Sequence, residues 1–351
     1  MSNDGGAARA LDACLVRMLT EEPDRVALFA NIAFREVHFL AANFAAHVAI
    51  NLAKRPMDPQ DKVKCLNNAA NYLSILGKHE EALTCAKEAT GLLEELTRAR
   101  PEAFRPGLVG ALNTLALRLL EASYSQKALT CARKAVKLSR ELMKEKPKVF
   151  AASLALSLTN LGSVFTKLGR HTEALPYAEE AFRLHLMLVG ERVETGAGQL
   201  EVERARCLAV SLCNLSAALS NLDRYAEALC YAQDGVKMYR EMAKERRDAF
   251  TPEFATSLDN LVKLLLELHR YDAALLPARE VVAIRRELAR AHSEVFSHRL
   301  AMSLGSLAKV LWALGRREEA NSCAKEAVEL ARAHPSASPT NAGMSSPSLD
   351  F

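Results

Sequence analysis

The chain is short of the residues that break helices and of those that favour sheets. Its 351 residues include 15 Gly, 12 Pro, one Trp and 6% aromatics. That scarcity argues against a turn-rich all-β chain and against a low-complexity one. An excess of one charge is also missing: 46 Lys and Arg face 42 Asp and Glu, a net of +4. With no concentrated basic stretch, that balance predicts no nucleic-acid partner. The eight cysteines contain no Cys-X-X-Cys pair. They read as small buried hydrophobes in a reducing compartment, and the expected location is cytoplasmic. Met1 to Ala10 is polar and is not expected to be a secretory signal. Val37 to Ala53 has no formally charged residue, but its 17 residues include His38, His47, Asn43 and Asn51. It is short and polar for a span, so no membrane association is expected and a buried capping helix is.

Half of the residues are hydrophobic, enough for a large core. Ala and Leu make up about a third of the chain, and both are strong helix formers. An all-α protein follows. Length alone suggests two domains, unless the chain is built from repeats.

It is. The alanine of a short Gly-Lys-His-Glu-Glu-Ala-Leu phrase recurs at Ala82, Ala128, Ala174, Ala228, Ala274 and Ala320, in steps of 46, 46, 54, 46 and 46 residues. Gly190, Gly196 and Gly198 mark the eight-residue insertion that lengthens one step. Phe104, Phe150, Phe250 and Phe296 hold the same phase and stand just before each new unit. Each unit reads as two helices. First helices are predicted over 107–121, 151–168 and 252–268, second helices over 172–189 and 272–291. Leu154, Leu158, Leu161, Phe165 and Leu168 follow helical spacing. Ala82, Ala86 and Ala89, like Ala174, Ala178 and Ala181, form a row that permits close helix approach.

With Leu158, Leu161-Gly162, Phe165, Gly169, Ala174, Tyr177 and Ala181, the unit resembles the tetratricopeptide repeat (TPR). Its extra length resembles the extended repeats of kinesin light chain and related fungal and bacterial proteins. The resemblance runs from about Asp58 to Ala333 and implies a right-handed α-solenoid of about six helix-turn-helix units. Residues 1–57 would be N-terminal helices forming a degenerate repeat or cap, 58–333 the solenoid, and 334–351 a disordered Ser/Pro-rich tail.

No P-loop, GxGxxG, HExxH or GxSxG motif is present. His79 and His171 share a turn position with Tyr225 and Tyr271, which reads as packing. Cys85, Cys131 and Cys323 share another, expected to be buried. Glu80, Glu81, Glu173, Glu227, Glu318 and Glu319 suit helix N-termini. Neither an enzyme, nor a cofactor, nor a metal is expected. The sequon Asn214-Leu215-Ser216 falls inside a predicted helix, and glycosylation there is not expected.

Asparagine is a poor mid-helix residue, yet it recurs at one phase of the first helices. One row holds Asn68, Thr114, Asn160, Asn214, Asn260 and Ser306; the row before it holds Asn67, Asn113, Thr159, Cys213, Asp259 and Gly305. In a TPR fold this side of the first helix looks into the concave groove, where amides could bind an extended peptide. The same amides could instead tie one unit to the next. Asn71, Ser74, Ser163, Thr166, Lys167, Ser220, Asn221, Lys263 and Lys309 stand nearby, making the groove polar and mildly basic. Asn67 takes the place of the first lysine of the family's carboxylate clamp, which disfavours a receptor for chaperone tails. The resemblance thus implies a non-enzymatic scaffold or adaptor that holds a peptide or helical segment of another protein. Two alternatives are a constitutive subunit of a larger assembly and a sensor acting with an NTPase in trans. The all-round apolarity of Leu11 to Ala53, with Phe29, Phe34, Phe39 and Phe44 five residues apart, suits the subunit reading. Oligomeric state is open.

Overall fold

A computed structural model describes residues 39–190, 198–291 and 293–333. These form thirteen helices and no strand. They are α1 (Phe39–Ala53), α2 (Pro59–Ile75), α3 (His79–Ala99), α4 (Pro101–Glu121), α5 (Ser125–Glu145), α6 (Pro147–Lys167), α7 (His171–Gly190), α8 (Gly198–Ser220), α9 (Tyr225–Glu245), α10 (Arg247–Glu267), α11 (Tyr271–Ala291), α12 (Ser293–Ala313) and α13 (Arg317–Ala333). From α2 onward, even-numbered helices are the first of a pair and odd-numbered ones the second. The chain divides into two compact units, residues 1–224 and 225–351.

The repeat is legible in how helices start and stop. Pro59, Pro101 and Pro147 each open a first helix, where a missing N–H costs nothing. A proline pushes the preceding residue out of helical geometry. Accordingly Arg100 (φ −142°) and Lys146 (φ −141°) form one-residue breaks between a second helix and the next first helix. This corrects the expected boundaries. First helices begin at Pro101, Pro147 and Arg247 rather than at 107, 151 and 252. Phe104 and Phe250 therefore lie buried in first turns instead of preceding the helix. Pro106 is tolerated inside α4 because the carbonyl it leaves unpaired belongs to exposed Glu102, near the helix end.

Each turn within a pair reverses the chain through one left-handed residue: Gly77, Ser123, Gly169, Asp223, His269 or Gly315, with φ between 53° and 74°. In each, two backbone bonds close the helix end. In the third pair the Arg170 N–H donates to Phe165 O at 2.9 Å and the Gly169 N–H to Thr166 O at 3.0 Å. This is a Schellman closure.

In the first unit, successive helices pack on one another and first helices also touch first helices, α2 on α4, α4 on α6 and α6 on α8. The second helices α3, α5 and α7 are instead bridged by ion pairs between long side chains: Lys134 to Glu94 (2.5 Å) and Arg140 to Glu180 (2.7 Å). First helices thus line the inner side. The alanine row is buried as expected, and Leu154, Leu158, Leu161 and Phe165 fill the core beside it. In the second unit α10 packs on α12, and the ladder continues with Arg240–Glu280, Arg279–Glu319 and Arg286–Glu326.

Two expectations need correcting. Cys85, Cys131 and Cys323 are half-buried, the first two at the core edge, where the neighbouring alanines take the closest approach. His79 is exposed beside Glu121, whereas His171, Tyr225 and Tyr271 of the same position are half-buried, so packing there is partial and His79 stands outside it. Val37 to Ala53 contributes α1, of 15 residues. The described helix long and apolar enough to cross a membrane is instead α6, which is mostly buried among its neighbours. Phe29, Phe34, the loop of the insertion and the tail lie outside the described residues.

Candidate functional site

The stripe on α6 illustrates how the first helices present their inner side. Leu156, Asn160, Ser163 and Lys167 follow helical spacing along one face. Leu156 and Lys167 are exposed, Ser163 is half-buried, and Asn160 is 6% exposed. The same positions carry Val210, Asn214, Ala217 and Asn221 on and just past α8. On α10 they are Thr256, Asn260, Lys263 and Glu267.

Cavities open between consecutive first helices. One, of about 190 Å³, brings Ser163 and Lys167 of α6 together with Asn214 of α8, above a floor of Ala174, Ala178 and Ala181. A second, of about 220 Å³ in the other unit, brings Asn260 and Lys263 together with Ser306 of α12. Asn67, Asn68 and Asn71 are half-buried on α2, while Asn221 and Lys309 are exposed. Those five are not gathered into either cavity.

The other row behaves differently. Asn113 is buried, and its Nδ2 donates to Ser157 Oγ of the next first helix at 2.9 Å. Ser139 of α5 joins the same serine at 2.9 Å. Three repeats further on, 146 residues along the chain, Ser303 Oγ donates to Asp259 Oδ1 at 2.7 Å. These bonds join one pair to the next. Ser157 and Ser211 in one unit and Ser257 and Ser303 in the other hold one repeat position and are all buried, a recurring serine that the sequence reading missed although its 54, 46 and 46 spacing was there to be read. On the second helices Ser139, His185, Tyr239 and Arg285 share one repeat position, all buried, and Ser139 and His185 contact the serines Ser157 and Ser211. Because four residue types share that position, no sequence signal marks it. His185 Nδ1 lies 2.5 Å from Ser211 Oγ, and burial lowers its pKa from 6.5 to about 4.

Ser74 and Arg118 close the α2–α4 end. Arg118 donates to Ala70 O at 3.1 Å and pairs with Glu121, which accepts from Ser74 at 2.8 Å. Burial raises the thiols of Cys65, Cys85, Cys131, Cys207 and Cys323, and takes Cys213 to about 11. Such thiols are poor nucleophiles.

Paired helices in a 46-residue register, with a polar inner side, define a helical repeat scaffold. The chain belongs to the tetratricopeptide repeat family, whose profile matches residues 63–96, 154–192, 208–246, 254–293 and 300–334. The helix pair α4 and α5, with Ser123 in its turn, is unmatched. No curated protein sequence matches the chain. Among solved structures it is similar to BtubC (BKLC) from P. vanneervenii, with 19% identity, TM-score 0.58, and coverage of 78% of this chain and 98% of that one. Kinesin light chain TPR-like repeats from Podospora anserina align at 19% identity and TM-score 0.50, over 66% and 98%. A Rap protein complexed with competence and sporulation factor aligns at 17% identity and TM-score 0.55, over 87% and 73%. At these identities the likeness is one of fold.

Proposed function

We propose that this chain is a non-enzymatic interaction scaffold that holds an extended segment of another protein along its first helices. The observation that carries this is the repeat-phased set of amides, ammonium groups and a hydroxyl opening into cavities between consecutive first helices. Ser163, Lys167 and Asn214 do so in one unit, Asn260 and Lys263 in the other. An amide donates and accepts, so it can bond a peptide backbone whatever its side chains. Asn68 and Asn71, half-buried like Asn214 and Asn260, and the exposed Asn221 and Lys309 extend the set. Asn113 is assigned to joining the repeats and leaves the binding set. A Rap protein of the same fold holds the competence and sporulation factor, in keeping with a ligand on such a scaffold.

The test is affinity capture with immobilised wild type beside an Asn214→Ala, Asn260→Ala, Lys263→Ala variant, with helicity followed by circular dichroism. The expected result is a partner retained by wild type and lost by an equally helical variant. Identical capture by both would move the interface off the first helices. In that event a constitutive subunit is the better reading, and exposed Leu186, Met187 and Leu276 on second helices are its contact candidates.

A further inference from the structure

The 220 Å³ cavity of the second unit differs in charge from its counterparts. Where α4, α5 and α6 join through neutral Asn113, Ser139 and Ser157, the later pairs place Asp259 and Arg285. Arg285 is 2% exposed and lines the cavity from α11. Its Nη2 donates to Asp259 Oδ2 at 2.8 Å and to Thr256 Oγ1 at 3.2 Å. Its Nε and Nη1 are buried and have no hydrogen-bond partner among the described residues.

Asp259 has little capacity left, because its other oxygen accepts from Ser303 at 2.7 Å. Arg299 of α12 stands across the cavity, with its Nη1 3.5 Å from Thr256 Oγ1. Lys263 adds a third cation at the rim. The facing acids are Asp259 and, through its charge on Arg299, Glu253. Cations exceed acids by one. Leaving guanidinium donors buried and unbonded is costly, and an added oxyanion would relieve both the charge and the donors.

We infer that this cavity is a subsite for a single carboxylate, the acidic side chain of a segment lying in the groove. It rests on the groove reading above. A carboxylate matches the excess of one positive charge, whereas a doubly charged phosphate would sit against Asp259 with charge to spare. Met302, 53% exposed at the mouth, offers apolar contact to the methylenes of such a side chain.

The experiment follows the arginine Nε–H resonances of the full-length, isotope-labelled chain, with Arg285 assigned by Arg285→Lys. The probes are acetate, N-acetylglutamate amide, N-acetylglutamine amide and inorganic phosphate. The expected result is a saturable shift of the Arg285 signal with acetate and the glutamate probe, and none with the glutamine probe. Arg299→Gln, at a more exposed position, should weaken that binding by about tenfold with helicity unchanged. No saturable shift with either carboxylate overturns the inference. So does phosphate binding tenfold tighter than acetate, which would assign the cavity to free phosphate. If the carboxylates bind but the groove variant still captures like wild type, the groove reading fails and the peptide assignment falls with it, leaving a small-anion site.

Discussion

The left-handed turn residue sets a local cost that differs between copies. Gly77, Gly169 and Gly315 adopt it without strain, whereas Ser123, Asp223 and His269 carry a Cβ into it. An L-residue held there costs about 1–2 kcal/mol. Ser123→Gly should therefore stabilise the protein by up to about 1 kcal/mol, and Gly169→Ala should destabilise it by a similar amount; urea melts of both check the sign. A second effect at this scale comes from His185. Its folded pKa of about 4 lies below the ordinary 6.5, so the unfolded chain takes up a proton first as pH falls. The stability it contributes is full above pH 6.5 and is lost on descending toward pH 4, by about 3 kcal/mol at most. In His185→Gln the unfolding free energy should slope less steeply over that window; an unchanged slope would assign the acid sensitivity to other groups.

Between elements, two kinds of contact hold consecutive pairs, and they differ in strength. The alanine row is a steric limit. Ala132 is fully buried in the core, so Ala132→Leu should cost about 1–3 kcal/mol through overpacking. The ion-pair ladder between second helices is weaker. Arg240 and Glu280 are 2.7 Å apart but each is about a third or more exposed. A double-mutant cycle there should give no more than about 1 kcal/mol, shrinking as salt is raised. Every rung of the ladder spans 40 residues. The sequence shows that spacing only once second helices are known to neighbour one another. The recurring serine was missed for a related reason: it carries no hydropathy contrast, so the periodicity that exposes the leucines passes over it.

For the whole chain, two compact units imply more than one unfolding step, since repeat arrays respond to local neighbours. Leu158 and Leu258 are repeat equivalents, one in each unit, and both are fully buried. Leu158→Ala and Leu258→Ala should each cost about 2–5 kcal/mol and shift different calorimetric transitions; a single transition moved alike by both would show one cooperative body. The helical class, the 46-residue register, the pairing of helices and the family were all readable from residue spacing, because helix periodicity and turn chemistry are local. The groove amides were readable as a repeating row, but not their division of labour. Asn113 and Asn214 hold adjacent phases of the first helix, and the packing of neighbouring pairs set what each phase meets, a buried serine for the first and a cavity for the second. Arg285 had no sequence mark at all. Its burial beside Asp259 and its two unbonded nitrogens exist only where α10, α11 and α12 meet, since desolvation and hydrogen-bond satisfaction depend on residues distant in the chain.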